Sequence, residues 1–374
     1  MQVNMEARQK SVSLALFAAM TVFAFLAFTA QGYAQSFTTF NVPGAGPGPQ
    51  QGTWAIGVNP LGSIVGQYID GSGMYHGFLR KPTGTFIKFD PVGSASTWAY
   101  ALNEQEVIAG WYADKHQVCH GYVRTPDGMI TTFDSPGAGK RAGLGTWPLD
   151  INNLGAIAGY YQDKHGVYHG FVREPNGTFT SFEAPGAGSG RGQGTEPMAF
   201  SAMTPLGAIT GYYVDANNAM HGFLRTPEGV ITSFDVLGAG TGAKQGTAPM
   251  SVDQWGAITG YYVDGNDVAH GFVRNPDGLI TTFDVLLAGT EANQGTFPMT
   301  NNRHNALAGY YIDANGASHG FLRGSPYGRI TTLNAPGAGA SSGQGTFPMS
   351  NNRKGMIAGY YVDVSGSYHG FVAN

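Results

Sequence analysis

A His-Gly pair recurs seven times along the chain, at His76, His120, His169, His221, His270, His319 and His369, at intervals of 44, 49, 52, 49, 49 and 50 residues. A period near 50 marks a propeller or a solenoid, in which each repeat buries its apolar faces against its neighbours. Residues 246–284 show one unit in full, "GTAPMSVDQWGAITGYYVDGNDVAHGFVRNPDGLITTFD". It breaks into four short runs, "TAPMSV", "AITGYYVD", "HGFVR" and "LITTFD". The links "DQWG", "GNDVA" and "NPDG" are short and turn-forming, so consecutive runs pair as antiparallel hairpins. After residue 34 no stretch keeps a helical period long enough to compete. Four strands in each of seven units predict an all-β chain, a seven-bladed β-propeller. The 58 glycines would suggest disorder if they were aperiodic, but here they follow the repeat.

The two ends complement each other. Residues 37–42 read as a fourth strand without its first three, and the chain stops on "HGFVAN", a third strand without its fourth. Strand 37–42 is therefore expected to pair with strand 369–373, completing the last blade and leaving no long open edge. A solenoid would carry capped ends instead, and no caps are evident.

The first 34 residues differ in kind. Arg8 and Lys10 precede the apolar run "SVSLALFAAMTVFAFLAFTA", and Gly32 and Ala34 follow as small residues. This order predicts an export signal, residues 1–34, cleaved after Ala34. The competing reading is an uncleaved anchor, since about 20 apolar residues span a bilayer. With cleavage, residues 35–374 form a single propeller domain, secreted or periplasmic, monomeric and without a membrane span. Charged residues make up 12% of the chain and the net charge is −4. No basic stripe is present, so nucleic acid is not an expected partner. Cys119 is the sole cysteine, so no intramolecular disulfide is possible, and it reads as a small buried hydrophobe.

Units of the form "GYYIDANGASHGFLR" followed by "ITTLNAPGAG" resemble the bacterial extracellular repeat family known by its His-Ala-Phe (HAF) motif. The motif reads His-Gly-Phe in six copies here and His-Gly-Tyr in one, departing at the middle residue. The resemblance covers essentially all of 36–374. It implies export and repetition and names no activity.

Every unit also keeps an Asp six residues before the His: Asp70, Asp114, Asp163, Asp215, Asp264, Asp313 and Asp363. Folding 211–225 about Asn218 places Asp215 opposite His221, and folding 221–235 about its "PEG" turn places Asp235 opposite the same His. Asp134 near His120 and Asp284 near His270 follow the same arithmetic. Each imidazole is then flanked by carboxylates that favour its charged form. A catalytic site needs one special copy, so seven equal pairs read as structural. An imidazole with carboxylates also suits a divalent ion. Loops such as "DANG" and "DGND" nevertheless lack the distal bidentate Glu of a calcium loop, and no metal site is expected. The arginines that end "HGFVR", from Arg80 to Arg323, read as solvated or blade-to-blade contacts. The tyrosine pairs of the second strand, such as Tyr212–Tyr213, send one ring to each face and fill space between blades.

Function is sought where the units differ. The long Gly-rich link from strand four to the next strand one delivers a Thr to the mouth of the central channel: Thr53, Thr97, Thr146, Thr195, Thr247, Thr296 and Thr346. The next residues are Trp54, Trp98, Trp147, Glu196, Ala248, Phe297 and Phe347. Around a closed ring, five aromatics are contiguous and Glu196 and Ala248 form the gap. Lys244 lies in the link leading to Ala248. The link between Asp90 and Thr97 is shorter than its counterparts, and the unit after Glu196 is longer. An aromatic arc with an acid at its opening suits a ligand with apolar faces and hydroxyl edges, such as a sugar. The bland alternative turns these rings into the interblade core. Trp111 and Trp255 are expected to be buried or on the far face.

Two function classes follow. The first is a secreted binding or scaffold propeller taking an extracellular glycan or protein. The second is a secreted polysaccharide hydrolase or lyase using the same face, which would need a second carboxylate beside Glu196. No nucleophile motif, P-loop or HExxH string appears, and no cofactor is expected. A purely structural role in the envelope is a third class, because fold alone does not imply function.

Overall fold

The computed structural model describes residues 36–197, 202–302, 306–324 and 328–374. The expected export segment 1–34 lies outside them. Ser36–Asn374 clusters as one body of 28 strands, with no helix among the described residues. No helix of the described residues is long and apolar enough to cross a membrane.

The unit read from residues 246–284 forms as the turn chemistry dictates. Gly246–Val252 pairs antiparallel with Ile258–Val263, which pairs with Ala269–Arg274, which pairs with Ile280–Phe283. Gly256 turns the first hairpin at φ 90° and Gly278 the third at φ 93°, a region other residues rarely adopt. Ala269 then makes one parallel bridge to Gly295, the start of the next unit's first strand. The same antiparallel pairings run through the other units, the parallel bridge recurs except between Tyr75–Arg80 and Ser94–Leu102, and Phe37–Phe40 pairs antiparallel with Tyr368–Ala373, Phe37 opposite Ala373. That strand ends two residues earlier than the expected 37–42.

The first strands carry a feature the repeat does not announce. Each fully described one slips register by one residue, between Ala55 and Gly57, Ala99 and Ala101, Pro148 and Asp150, Pro249 and Ser251, Pro298 and Thr300, and Pro348 and Ser350. A bulge re-aims the extra side chain and tolerates a nearby proline. The extra residues include Ile56, Met250, Met299 and Met349, which gather in one buried cluster, while Leu149 packs beside Trp147. The first strands therefore converge on a shared apolar floor.

Between units, the terminal arginines settle as contacts rather than solvated groups. Arg274 lies over the Phe234 ring at 5.0 Å and Arg173 over Phe133 at 4.6 Å, each ring belonging to the preceding unit's fourth strand. At the same end of the units, Asn59 donates to Asn103 O at 3.2 Å, Asn103 to Asn152 O at 3.2 Å, and Asn352 to Asn59 O at 2.9 Å. These side chains tie one unit's turn to the next.

Candidate functional site

The Asp–His pairs are partly exposed, each at the start of a third strand. His221 Nδ1 meets Asp235 at 2.9 Å and its Nε2 meets Asp215 at 3.6 Å. His120 meets Asp134 at 2.9 Å, His270 meets Asp284 at 3.0 Å, and His169 meets Glu183. In register, Tyr213 stands opposite His221, not Asp215 as simple folding about Asn218 suggests. The turn tightens because Asn218 takes φ 66° and Asp215 caps the loop, accepting from the amides of Asn217 and Ala219 through one carboxylate oxygen. Its other oxygen accepts from Asn217 Nδ2 at 3.2 Å and faces the imidazole.

Where the outer partner is an Asn, the inner contact shortens. His319 lies 3.1 Å from Asp313 and His369 lies 3.0 Å from Asp363, with Asn334 and Asn41 on the far side. The Ser72 hydroxyl and the Met74 amide hold Asp70 at about 2. Burial raises Asp363, but Ser365, His369 and the Ser367 amide outweigh it and bring it to about 2. The Glu183 hydrogen bond raises His169. Every one of the seven repeated His also stacks on a second-strand tyrosine, as Tyr161 on His169 at 4.8 Å. Both imidazole nitrogens and one ring face are thus spent within the unit.

The threonines do not open onto a mouth. All seven are fully buried. Six accept a backbone N–H eleven residues back, for example Val236 N to Thr247 Oγ1 at 3.0 Å and Ala184 N to Thr195 at 2.9 Å. Thr97, after the short link, has no such partner. Gly194, just before Thr195, sits at φ 119°, where any Cβ would overlap the Tyr168 carbonyl.

The residues after the threonines form the crown, and their rings pack on one another. Trp54 stacks on Tyr360 at 5.1 Å and meets Tyr368 edge-on at 5.0 Å. Trp98 is covered on one side by Trp111 at 3.8 Å and on the other by Tyr75 at 4.9 Å. Trp147 is 8% exposed and stacks on Tyr160 at 5.1 Å. Phe297 stacks on Tyr310 and Phe347 on Tyr360. The arc exists, but much of its flat surface is used for ring-to-ring packing. Each such pair contributes about 0.5–1.5 kcal/mol beyond its area. Trp111 belongs to the crown, contrary to expectation, because it takes the place of the first second-strand tyrosine. Trp255 is 58% exposed in the turn after a first strand, at the end away from the crown.

Several crown residues escape a reading confined to the positions after Thr. Tyr75, Tyr168 and Tyr368 each precede the repeated His, where other units carry Cys119, Met220, Ala269 and Ser318. That variation is the signal that finds them. Cys119 is buried, and desolvation followed by the nearby Asp114 charge pushes its thiol up to about 12.

Glu196 fills the gap in the arc. Tyr212 stands opposite it on the second strand and donates its hydroxyl to Glu196 Oε2 at 3.4 Å. Burial pushes this carboxyl up to about 7, against the opposing effect of the Tyr212 hydrogen bond. The Glu196 charge in turn raises the phenols of Tyr160, Tyr168 and Tyr212, each already raised more by burial. Ala248, the other member of the gap, is fully buried. Lys244 is exposed on its link with φ 65°, its amide held by Asn218 O at 2.9 Å, and it forms no ion pair with Glu196.

No family model matches the chain, and no curated protein matches it. Solved structures of like fold do. One is puromycin hydrolase, at TM-score 0.52 and 12% identity over 85% of this chain, which spans about half (52%) of that chain's length. Another is the BP39L lectin from Burkholderia pseudomallei, at TM-score 0.53 and 11% identity, covering 83% of this chain and 91% of that one. PorZ, a surface component of the type-IX secretion system of Porphyromonas gingivalis, matches at TM-score 0.50 and 13% identity over 84% of this chain and 46% of that one. The fold is propeller-like. At these identities the likeness shows the fold alone.

Proposed function

We propose that the chain is an exported, closed seven-bladed propeller of the HAF repeat kind that binds carbohydrate at its crown. Supporting the closed ring are the pairing of Phe37 with Ala373, the stacking of Trp54 on Tyr360, and the Asn352-to-Asn59 hydrogen bond. The Gly that replaces the family's Ala lies against a fourth-strand ring, Phe89 in the case of Gly77, where a Cβ would crowd it. Export rests on the order of residues 1–34, and a secreted or periplasmic location follows from it.

The observation that carries the binding reading is the crown itself, an aromatic belt broken by one half-buried carboxylate above an apolar floor. Among the described residues, the hydroxyls of Tyr160, Tyr261, Tyr310 and Tyr360 have no protein hydrogen-bond partner and are not sealed from solvent. Sugars offer C–H faces to rings and hydroxyls to such edges. That one structure of like fold is called a lectin accords with this reading. The raised Glu196 would also serve a hydrolase as general acid, but a glycosidase needs a second carboxylate, and the equivalent crown positions carry Trp, Phe and Ala.

A glycan-array screen of the full chain beside Trp54→Ala tests the proposal. Binding by the parent, lost in a variant that keeps its near-UV circular dichroism, is the expected result. A parent that binds no glycan overturns it.

A further inference from the structure

We propose that the crown takes a saccharide bearing a protonated amine, with Glu196 as counter-ion and the hydroxyls of Tyr160, Tyr168 and Tyr212 beside it; this rests on the carbohydrate reading above. The starting point is a carboxyl without a cationic partner. Glu196 is half-buried, its one protein hydrogen bond is the 3.4 Å contact from Tyr212, and no Lys, Arg or His among the described residues pairs with it. Lys244, on the neighbouring link, is exposed. A carboxylate partly withdrawn from water and left without a cation is costly, and the cost is recovered when a cation arrives.

The surroundings select the kind of cation. One carboxylate among neutral phenols is too sparse an oxygen set for calcium, which takes six to eight oxygens. A primary ammonium donates three hydrogen bonds, which a carboxylate and adjacent hydroxyl oxygens accept. Across the crown from Glu196 lie the rings of Trp54 and Phe347, both stacked on Tyr360, over the apolar cluster of Ile56, Met250, Met299 and Met349. A ligand filling both sides therefore needs an amine at one end and C–H faces at the other. Acetylation of that amine removes the charge and two of the three donors. Burial holds Glu196 at about 7 in the empty crown, so an ammonium ligand binds better as pH rises toward neutrality and the carboxylate forms.

Calorimetric titration of the full chain with a glucosamine oligomer and with the matching N-acetylglucosamine oligomer, for the parent and for Glu196→Gln, tests this. The parent is expected to prefer the free amine by about tenfold or more, equivalent to about 1.4 kcal/mol. The preference should vanish in Glu196→Gln, and in the parent the affinity for the amine should rise between about pH 5.5 and about pH 7. Equal or tighter binding of the acetylated oligomer, a preference unchanged in Glu196→Gln, or a pH-independent affinity in the unmutated protein overturns the amine inference and leaves the carbohydrate reading standing. Failure to bind either oligomer also overturns it, and only if the glycan array is blank as well does the carbohydrate reading fall with it.

Discussion

Each of the seven repeated histidines has its two nitrogens and one ring face committed within its own unit, which is why seven copies of a reactive-looking pair amount to architecture. The buried carboxylates outside those pairs are few and behave differently. Asp150 occupies a first-strand position held elsewhere by Gly57, Ala101, Ser251 or Thr300, and it accepts from the amides of Met203 and Ile151 at 2.8 Å. Burial nevertheless raises it to about 6, against those hydrogen bonds. An unfolded Asp titrates near 3.9, so the folded state binds the proton more tightly. The resulting stability is fully present below about pH 4 and is lost as pH rises through about 6. Asp150→Asn should flatten the change in thermal midpoint between pH 4.5 and 7.5, a linkage on the order of 1–2 kcal/mol after allowing for the solvent in its cleft. A variant whose midpoint keeps the parent's slope across that range refutes this assignment.

At the scale of elements, the hairpins were legible because turn residues and β-branched runs alternate on a fixed period, and the outer His partners followed from counting across the "PEG" turn. The inner Asp does meet its His, but it does so from two residues off the expected register, because the Asp closes its own loop and tightens the hairpin, a side-chain effect that run lengths do not carry. The bulge in each fully described first strand was equally hidden, although the Pro of "GTAPM" and "GTFPM" marks its place. The threonine that precedes it looked like a lining residue and is a buried clamp. Thr247 receives the Val236 amide, whereas Thr97 follows a shorter link and receives none. Thr247→Val should therefore strand a buried N–H and lose about 1–3 kcal/mol in denaturant unfolding. Thr97→Val keeps the shape and removes a hydroxyl that has no partner, so it should be neutral or stabilising. Equal losses from both would mean that the hydroxyl matters only through its volume.

For the whole molecule, the decisive question is whether the sheet order closes on itself. Ser36 and Asn374 lie side by side: Ser36 N donates to Asn374 O at 3.3 Å and Asn374 N to Ser36 O at 3.2 Å, continuing the ladder of Phe37–Phe40 on Tyr368–Ala373. In a closed ring this pairing is the only seam, and it holds by a borrowed strand rather than by a covalent link. A circular permutant that joins residue 374 to residue 36 through a short Gly-Ser linker, and opens instead at the exposed turn beside Leu154, keeps every strand pair and moves the seam. It should fold with the parent's far-UV and near-UV spectra. Its thermal midpoint should lie within a few degrees of the parent's, because joining adjacent ends costs little chain entropy. Deleting residues 36–42 should do the opposite, uncovering the edge of Tyr368–Ala373 and the Phe371 ring, with a lower midpoint and concentration-dependent association through the bared strand. A permutant that fails to fold, beside a truncated chain that stays monomeric and as stable as the parent, would mean that the two end strands do not carry the ring. The crown would then lack the fixed frame that sets Trp54 against Tyr360 and keeps Glu196 alone at its gap.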